Sequence, residues 1–172
     1  DLRDTANGYA NKLIFFDADG DGHNDLIRYN PFYDYYDQFQ GTLTDSGLVE
    51  VILSSTGEIW QYRGNSDDNA GHGGIQTADI NGDGLNDLYI TTDNRRYGAL
   101  FYAPLSIPTD TQGNPRVLTP QDVDARFSVF DGRRYVSFSM EDFNNDGYDD
   151  IWVYSDVNNS YTSTHSLYHG AP

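Results

Sequence analysis

Three acidic segments recur along the chain at nearly constant spacing, beginning at Asp17, Asp79 and Asp142, which lie 62 and 63 positions apart. Each spans nine residues with an oxygen-bearing side chain at positions 1, 3, 5 and 9: Asp17, Asp19, Asp21 and Asp25; Asp79, Asn81, Asp83 and Asp87; Asp142, Asn144, Asp146 and Asp150. Glycine stands at position 6 each time, where it permits the sharp turn that folds those oxygens inward. Hard cations select such a donor set: Ca²⁺ takes six to eight oxygens, typically with a backbone carbonyl near position 7. That carbonyl would belong to His23, Leu85 or Tyr148. Several carboxylates converging on one point repel one another unless a counter-charge sits among them. The segments therefore predict three Ca²⁺ sites and a threefold structural repeat together.

An EF-hand opens in the same way, but it needs a bidentate glutamate at position 12 and flanking helices. Position 12 is occupied here by Arg28, Ile90 and Val153. The residues that follow, Leu26-Ile27-Arg28-Tyr29, Leu88-Tyr89-Ile90-Thr91 and Ile151-Trp152-Val153-Tyr154, are of β-branched and aromatic types that favour strands. Alternating apolar or β-branched residues precede each turn, at Leu13 and Phe15, Ile75 and Thr77, and Val136, Phe138 and Met140. Each acidic turn is thus expected to join two strands. Asp, Asn and Gly also dominate ordinary hairpin turns, a reading that three copies in phase weigh against.

A strand, a DxDGDGxxDL-type turn and a second strand, repeated about every sixty residues, resemble the FG-GAP or VCBS repeats of integrin alpha-chain propellers and secreted microbial proteins. The resemblance covers most of the chain, with its specific part in the turns. It implies that each repeat forms a four-stranded propeller blade, with Ca²⁺ held between the first two strands.

The chain of 172 residues is long enough for one domain with its own core. It reads as a single repeat domain over 1–172, with repeats near 11–64, 74–131 and 134–170. An apolar fraction of 37% is low, yet 15% aromatics, including 14 tyrosines, supply large buried surfaces. A formal net charge of −17 disfavours nucleic acid and anionic membrane surfaces as partners. No apolar run approaches the length of a membrane span. Without cysteine there is no disulfide, zinc-thiolate site or cysteine nucleophile. Calcium sites of ordinary affinity are easiest to fill outside cells, so an extracellular or cell-surface location is expected. The first residue, Asp1, suggests a processed form or an excised piece. A glycosylation sequon, Asn158-Asn159-Ser160, offers a glycan site at Asn158.

Four strands are expected in the first repeat: Leu13 to Phe16, Leu26 to Tyr29, Leu48 to Leu53 and Glu58 to Tyr62. The second offers Ile75 to Ala78, Leu88 to Thr91 and Ala99 to Tyr102, then a Pro- and Thr-rich connection from Pro104 to Pro120, then Arg126 to Phe130. The third has Tyr135 to Met140, Ile151 to Tyr154 and Ser166 to Tyr168 and lacks an outermost strand. Strands that are apolar on both faces call for sheets covered on both sides. Closed propellers use four to eight blades. Three repeats therefore belong to a longer propeller, associate to complete one, or stack in an open arc, the last inviting head-to-tail filaments.

Among the remaining candidates, the aromatic run Pro31 to Phe39 is expected to cover the sheet edge or pack under the loop rather than bind sugar rings or a protein. The Gly64 to Gly74 segment, with Asp67, Asp68 and His72, reads as a flexible connector. His23, His165 and His169 read as surface residues. Catalytic signatures are absent: there is no Gly-x-Ser-x-Gly elbow, His-Glu-x-x-His helix or phosphate-binding glycine loop. The best-placed carboxylates belong to the turns. The expectation is an all-β, propeller-like stack of three four-stranded sheets, stapled by Ca²⁺, with a binding, adhesion or assembly role and no catalysis. Its partners would be a protein, a carbohydrate or copies of itself. The alternatives are a non-catalytic module of a polysaccharide-active enzyme and a filament subunit.

Overall fold

Each acidic turn joins the first two strands of an antiparallel sheet, and three such sheets succeed one another along the chain. The computed structural model describes residues 13–37, 41–92, 98–127, 135–156 and 163–171. Among these residues there is no helix, so the chain is all-β.

The first repeat contains β1 (Ile14–Phe16), β2 (Asp25–Asn30), β3 (Tyr35–Asp37), β4 (Gly41–Leu43), β5 (Leu48–Ile52) and β6 (Ile59–Arg63). Its sheet runs β1-β2-β5-β6, and β3 and β4 form a separate hairpin inserted between β2 and β5. The second repeat contains β7 (Ile75–Ala78), β8 (Asp87–Thr91), β9 (Gly98–Phe101) and β10 (Ala125–Phe127), hydrogen-bonded in sequence order. In the third, β11 (Tyr135–Glu141), β12 (Asp150–Asp156) and β13 (Ser163–Tyr168) make a sheet of three strands among the described residues.

The register assigns each strand residue to one of two faces, because side chains alternate. In β2, Ile27 faces the second sheet and shares a core with Val49 and Val51 of β5 and Trp60 and Tyr62 of β6. Leu88 and Ile90 of β8 and Phe101 of β9 close that core from the other side. The ring of Phe101 meets those of Trp60 and Tyr62 edge-on, with centroids 4.9 and 5.2 Å away. Tyr89 and Leu100 point the opposite way, into a second core with Ile151 and Val153 of β12. The middle sheet is thus covered on both faces, and every residue of β8 and β9 is buried. This is what the two-sided apolarity of those strands required.

The connection after β9 does more than link strands. It crosses to the first repeat, where Leu118 N–H donates to the Gln61 carbonyl (2.8 Å) and Arg63 N–H donates to the Leu118 carbonyl (3.0 Å). Leu105 and Leu118 enter the first core. The segment so pairs with the edge strand β6, which would otherwise present free amides and carbonyls. Arg116 anchors it by donating to Asp122 at 2.7 Å, and that guanidinium holds the Asp122 carboxyl down at about 2.

The stretch from Gly64 to Gly74 corrects the expectation of a flexible connector. Asp68, Asn69, Ala70 and Gly71 are buried. The amides of Asp67, Asn69 and Ala70 donate to the Thr44, Asp45 and Ser46 carbonyls, and Gly71 donates to Thr91. Its glycines permit close packing rather than freedom: a Cβ on Gly64 would lie 2.5 Å from the Ser46 carbonyl oxygen. Tyr35 to Asp37 of the aromatic run form β3 of the inserted hairpin. Phe32 meets His72 edge-on (5.5 Å), the Arg63 guanidinium lies over Tyr35 (4.2 Å), and Tyr36 is exposed. Gln38, Phe39 and the Asn158 sequon lie outside the described residues.

Successive turns also touch. Leu85, at position 7 of the second turn, packs on Gly20, at position 4 of the first, and Tyr148 packs in the same way on Gly82. A Cβ on Gly82 would lie 2.1 Å from Tyr148 Cε1, whereas one on Gly84 would meet nothing within 4 Å. Both glycines have positive φ, 73° and 88°, so alanine at either is strained by about 1 kcal/mol. Gly82→Ala must displace Tyr148 as well, by overpacking worth about 1–3 kcal/mol. Urea unfolding should give a clearly lower midpoint for Gly82→Ala than for Gly84→Ala; equal midpoints would mean that the turn-to-turn contact contributes nothing.

Candidate metal centre

The three turns use one hydrogen-bond scheme. The position 1 carboxylate collects the amides of positions 5 and 6. Asp17 accepts from Asp21 (3.1 Å) and Gly22 (2.9 Å), Asp79 from Asp83 (3.0 Å) and Gly84 (2.9 Å), and Asp142 from Asp146 (3.1 Å) and Gly147 (3.0 Å). Position 3 accepts from the position 5 amide, through Asp19, Asn81 or Asn144. Position 5 accepts from the position 7 amide, which belongs to His23, Leu85 or Tyr148. Glycine at position 6 has φ of 86°, 88° and 94° in the three turns, a region L side chains seldom occupy.

Positions 1, 3 and 5 therefore hold their oxygens over the same concave turn. In the first turn, carboxylate oxygens of Asp17, Asp19 and Asp21 lie within 4.8 Å of one another. Three like charges that close favour a cation among them, and all-oxygen donors suit a hard one. At position 3 the second and third turns carry asparagine in place of aspartate. The side-chain amide of Asn81 donates to Asp83 Oδ2 (3.0 Å), and that of Asn144 donates to Asp146 Oδ2 (2.8 Å). Asparagine thus supplies internally part of the compensation that the first turn lacks. His169, read from the sequence as a surface residue, reaches the third turn. Its Nδ1 lies 3.1 Å from both Asn144 Nδ2 and Asp150 Oδ1.

Position 9 stands apart from the other oxygens. Asp25, Asp87 and Asp150 are almost wholly buried, at 0, 1 and 0% exposure. One oxygen of each accepts from the position 2 amide: Ala18 (3.0 Å), Ile80 (3.0 Å) and Phe143 (3.1 Å). The other accepts from an amide just beyond the third strand of the repeat: Ser54 (2.7 Å), Ala103 (2.9 Å) and Gly170 (3.0 Å). These carboxylates lie at the starts of β2, β8 and β12 and tie each turn to the third strand of its own sheet. Burial pushes the Asp87 carboxyl above its usual value, against the pull of the Ala103 and Ile80 amides, and the neighbouring Asp83 charge adds to the rise. The periodic motif disclosed these residues but not this role, because their second partner lies 16 to 29 residues away.

The sequence matches no protein-family model and no curated protein. The fold and the turns by themselves define an all-β protein of repeated antiparallel sheets, each with an acidic turn between its first two strands.

Positions 3 and 9 should separate cleanly in chelator. Asp25→Ala leaves two inward amides without an acceptor and is expected to lower stability by about 2–4 kcal/mol. Asp19→Ala removes a largely redundant acceptor and should stay within about 1 kcal/mol. Denaturant unfolding in EDTA checks this; equal losses would place Asp19 and Asp25 in the same structural role.

Proposed function

We propose that the chain is a calcium-stabilised repeat scaffold, propeller-like in its stacking of sheets, whose role is binding, adhesion or assembly outside the cell. The observation that carries this reading is the convergence of the Asp17, Asp19 and Asp21 carboxylates within 4.8 Å on a turn whose scheme recurs twice more. Ca²⁺ would be held by positions 1, 3 and 5 of each turn, with the carbonyl of His23, Leu85 or Tyr148 as a further donor. The resemblance to FG-GAP and VCBS repeats supports the same assignment. The ion neutralises the clustered charge and so favours the folded turn over the open chain. Carboxylates committed in this way are poor general acids or bases, so catalysis is not part of the proposal.

The first turn should bind most tightly, since Asp19 brings a charge where Asn81 and Asn144 bring only an oxygen. Calorimetry is expected to give three Ca²⁺ per chain, with the tightest lost in Asp19→Asn. A single site at a hundredfold excess over its Kd adds about 2.7 kcal/mol, or roughly 5–11 °C in Tm for a chain of this size. A melting temperature unchanged by Ca²⁺ and EGTA would overturn the proposal.

A further inference from the structure

The middle sheet shows what covers each kind of face, and among the described residues the two end sheets each lack one cover. The first and third sheets leave four large apolar side chains exposed on their outward sides. Register places Phe15 and Ile59 on the side of the first sheet that faces away from the second, at 62 and 39% exposure, and Leu13, just before β1, is 49% exposed. The second sheet turns the corresponding side, with Leu88, Ile90 and Phe101, onto its predecessor, where all are buried. On the far side of the third sheet stand Leu167, 43% exposed, and the half-buried Trp152. Their counterparts are Val51 and Ile27 in the first sheet and Leu100 and Tyr89 in the second, all completely or almost completely buried by the next sheet.

The turns repeat the pattern. Ala18 and Ile80, at position 2, are buried, and their carbonyls accept from Leu105 (2.6 Å) and Ala171 (3.2 Å) of the following repeat. Phe143, at the same position of the third turn, is 44% exposed, and no amide among the described residues reaches its carbonyl. One end of the array thus carries the face that normally receives a predecessor, and the other carries the face that normally receives a successor.

We propose that these two end faces bind each other between copies of this chain, so that the first sheet of one copy stacks on the third sheet of the next. This deepens the assembly reading above and rests on it. The occupant follows from continuity with the two internal sheet-on-sheet contacts, which join the same two kinds of face. On the described part of the first sheet's outward side, charge does not oppose the contact locally. Arg28 and Glu50, on the outward side of the first sheet, pair with each other, and Gln61 donates to Glu50 at 2.8 Å. A paired charge is far less costly to cover than a lone one. The net charge of −17 opposes association at long range, and Ca²⁺ and salt weaken that repulsion. Because the two faces differ, the contact is heterologous and does not stop at a dimer unless a ring closes.

The test is sedimentation velocity of the full chain in millimolar Ca²⁺ over a range of concentrations, alone and with Phe15→Asp or Leu167→Asp. Both side chains are exposed, so the variants should fold, and circular dichroism checks that they do. The wild type should grow beyond a dimer with concentration, and each variant alone should remain a monomer. An equimolar mixture of the two variants should form a one-to-one dimer and nothing larger, since each retains the face the other lost. A monomeric wild type, a dimer that never grows, or growth that survives either substitution overturns the proposal. Assembly that persists in EGTA, with a melting temperature that Ca²⁺ does not change, would uphold the docking while removing the calcium reading; three bound Ca²⁺ on a permanent monomer would do the reverse.

Discussion

One residue in each of the first two acidic turns has its two backbone polar groups committed in opposite directions, and the stacking depends on it. Ala18 and Ile80 donate N–H to the buried position 9 carboxylate of their own repeat and accept, through C=O, from the repeat that follows. The carboxylate also holds the end of the third strand. Turn, sheet and neighbouring sheet therefore meet at one point. A buried carboxylate is costly unless its oxygens are satisfied, and here two backbone amides satisfy them. The position 2 amide belongs to the turn itself, but the second amide arrives only with the third strand, so the charge that burdens an isolated turn favours the assembled repeat.

Sheet-on-sheet packing supplies the rest. Among the described residues, neither the first nor the third sheet has both of its faces covered, whereas the second is buried throughout β8 and β9. Repeats of this kind gain stability from their neighbours more than from their own interior. The connection from β9 to β10 adds a tie across repeats by pairing with β6, which gives the first sheet a neighbour along its edge as well as over its face.

Most strands were legible because their period of two and their β-branched and aromatic content were local signals. The strands Ile75–Ala78, Leu48–Ile52 and Ile59–Arg63 fall within a residue or two of where the pattern put them. The hairpin of β3 and β4 was not foreseen, because its tyrosines alternate with acidic and amide residues and read equally well as a loop. The Gly64 to Gly74 segment misled for a related reason. Glycine, asparagine and aspartate signal backbone freedom in sequence, yet the same small residues allow the close packing against Gly47 and Thr91 that buries this stretch.

By itself the sequence determined where the three turns lie, which residues supply their oxygens, and that each turn joins two strands. Those properties depend on side chains within nine residues of one another and on the φ that glycine alone adopts easily. Only the tertiary structure decided that Asp25, Asp87 and Asp150 serve as internal staples, that Leu85 and Tyr148 rest on the glycines of the preceding turn, and that two unlike apolar faces stand open at the ends of the array. These are relations between segments 16 to about 65 residues apart, set by strand register and the direction in which sheets stack, which no local pattern encodes.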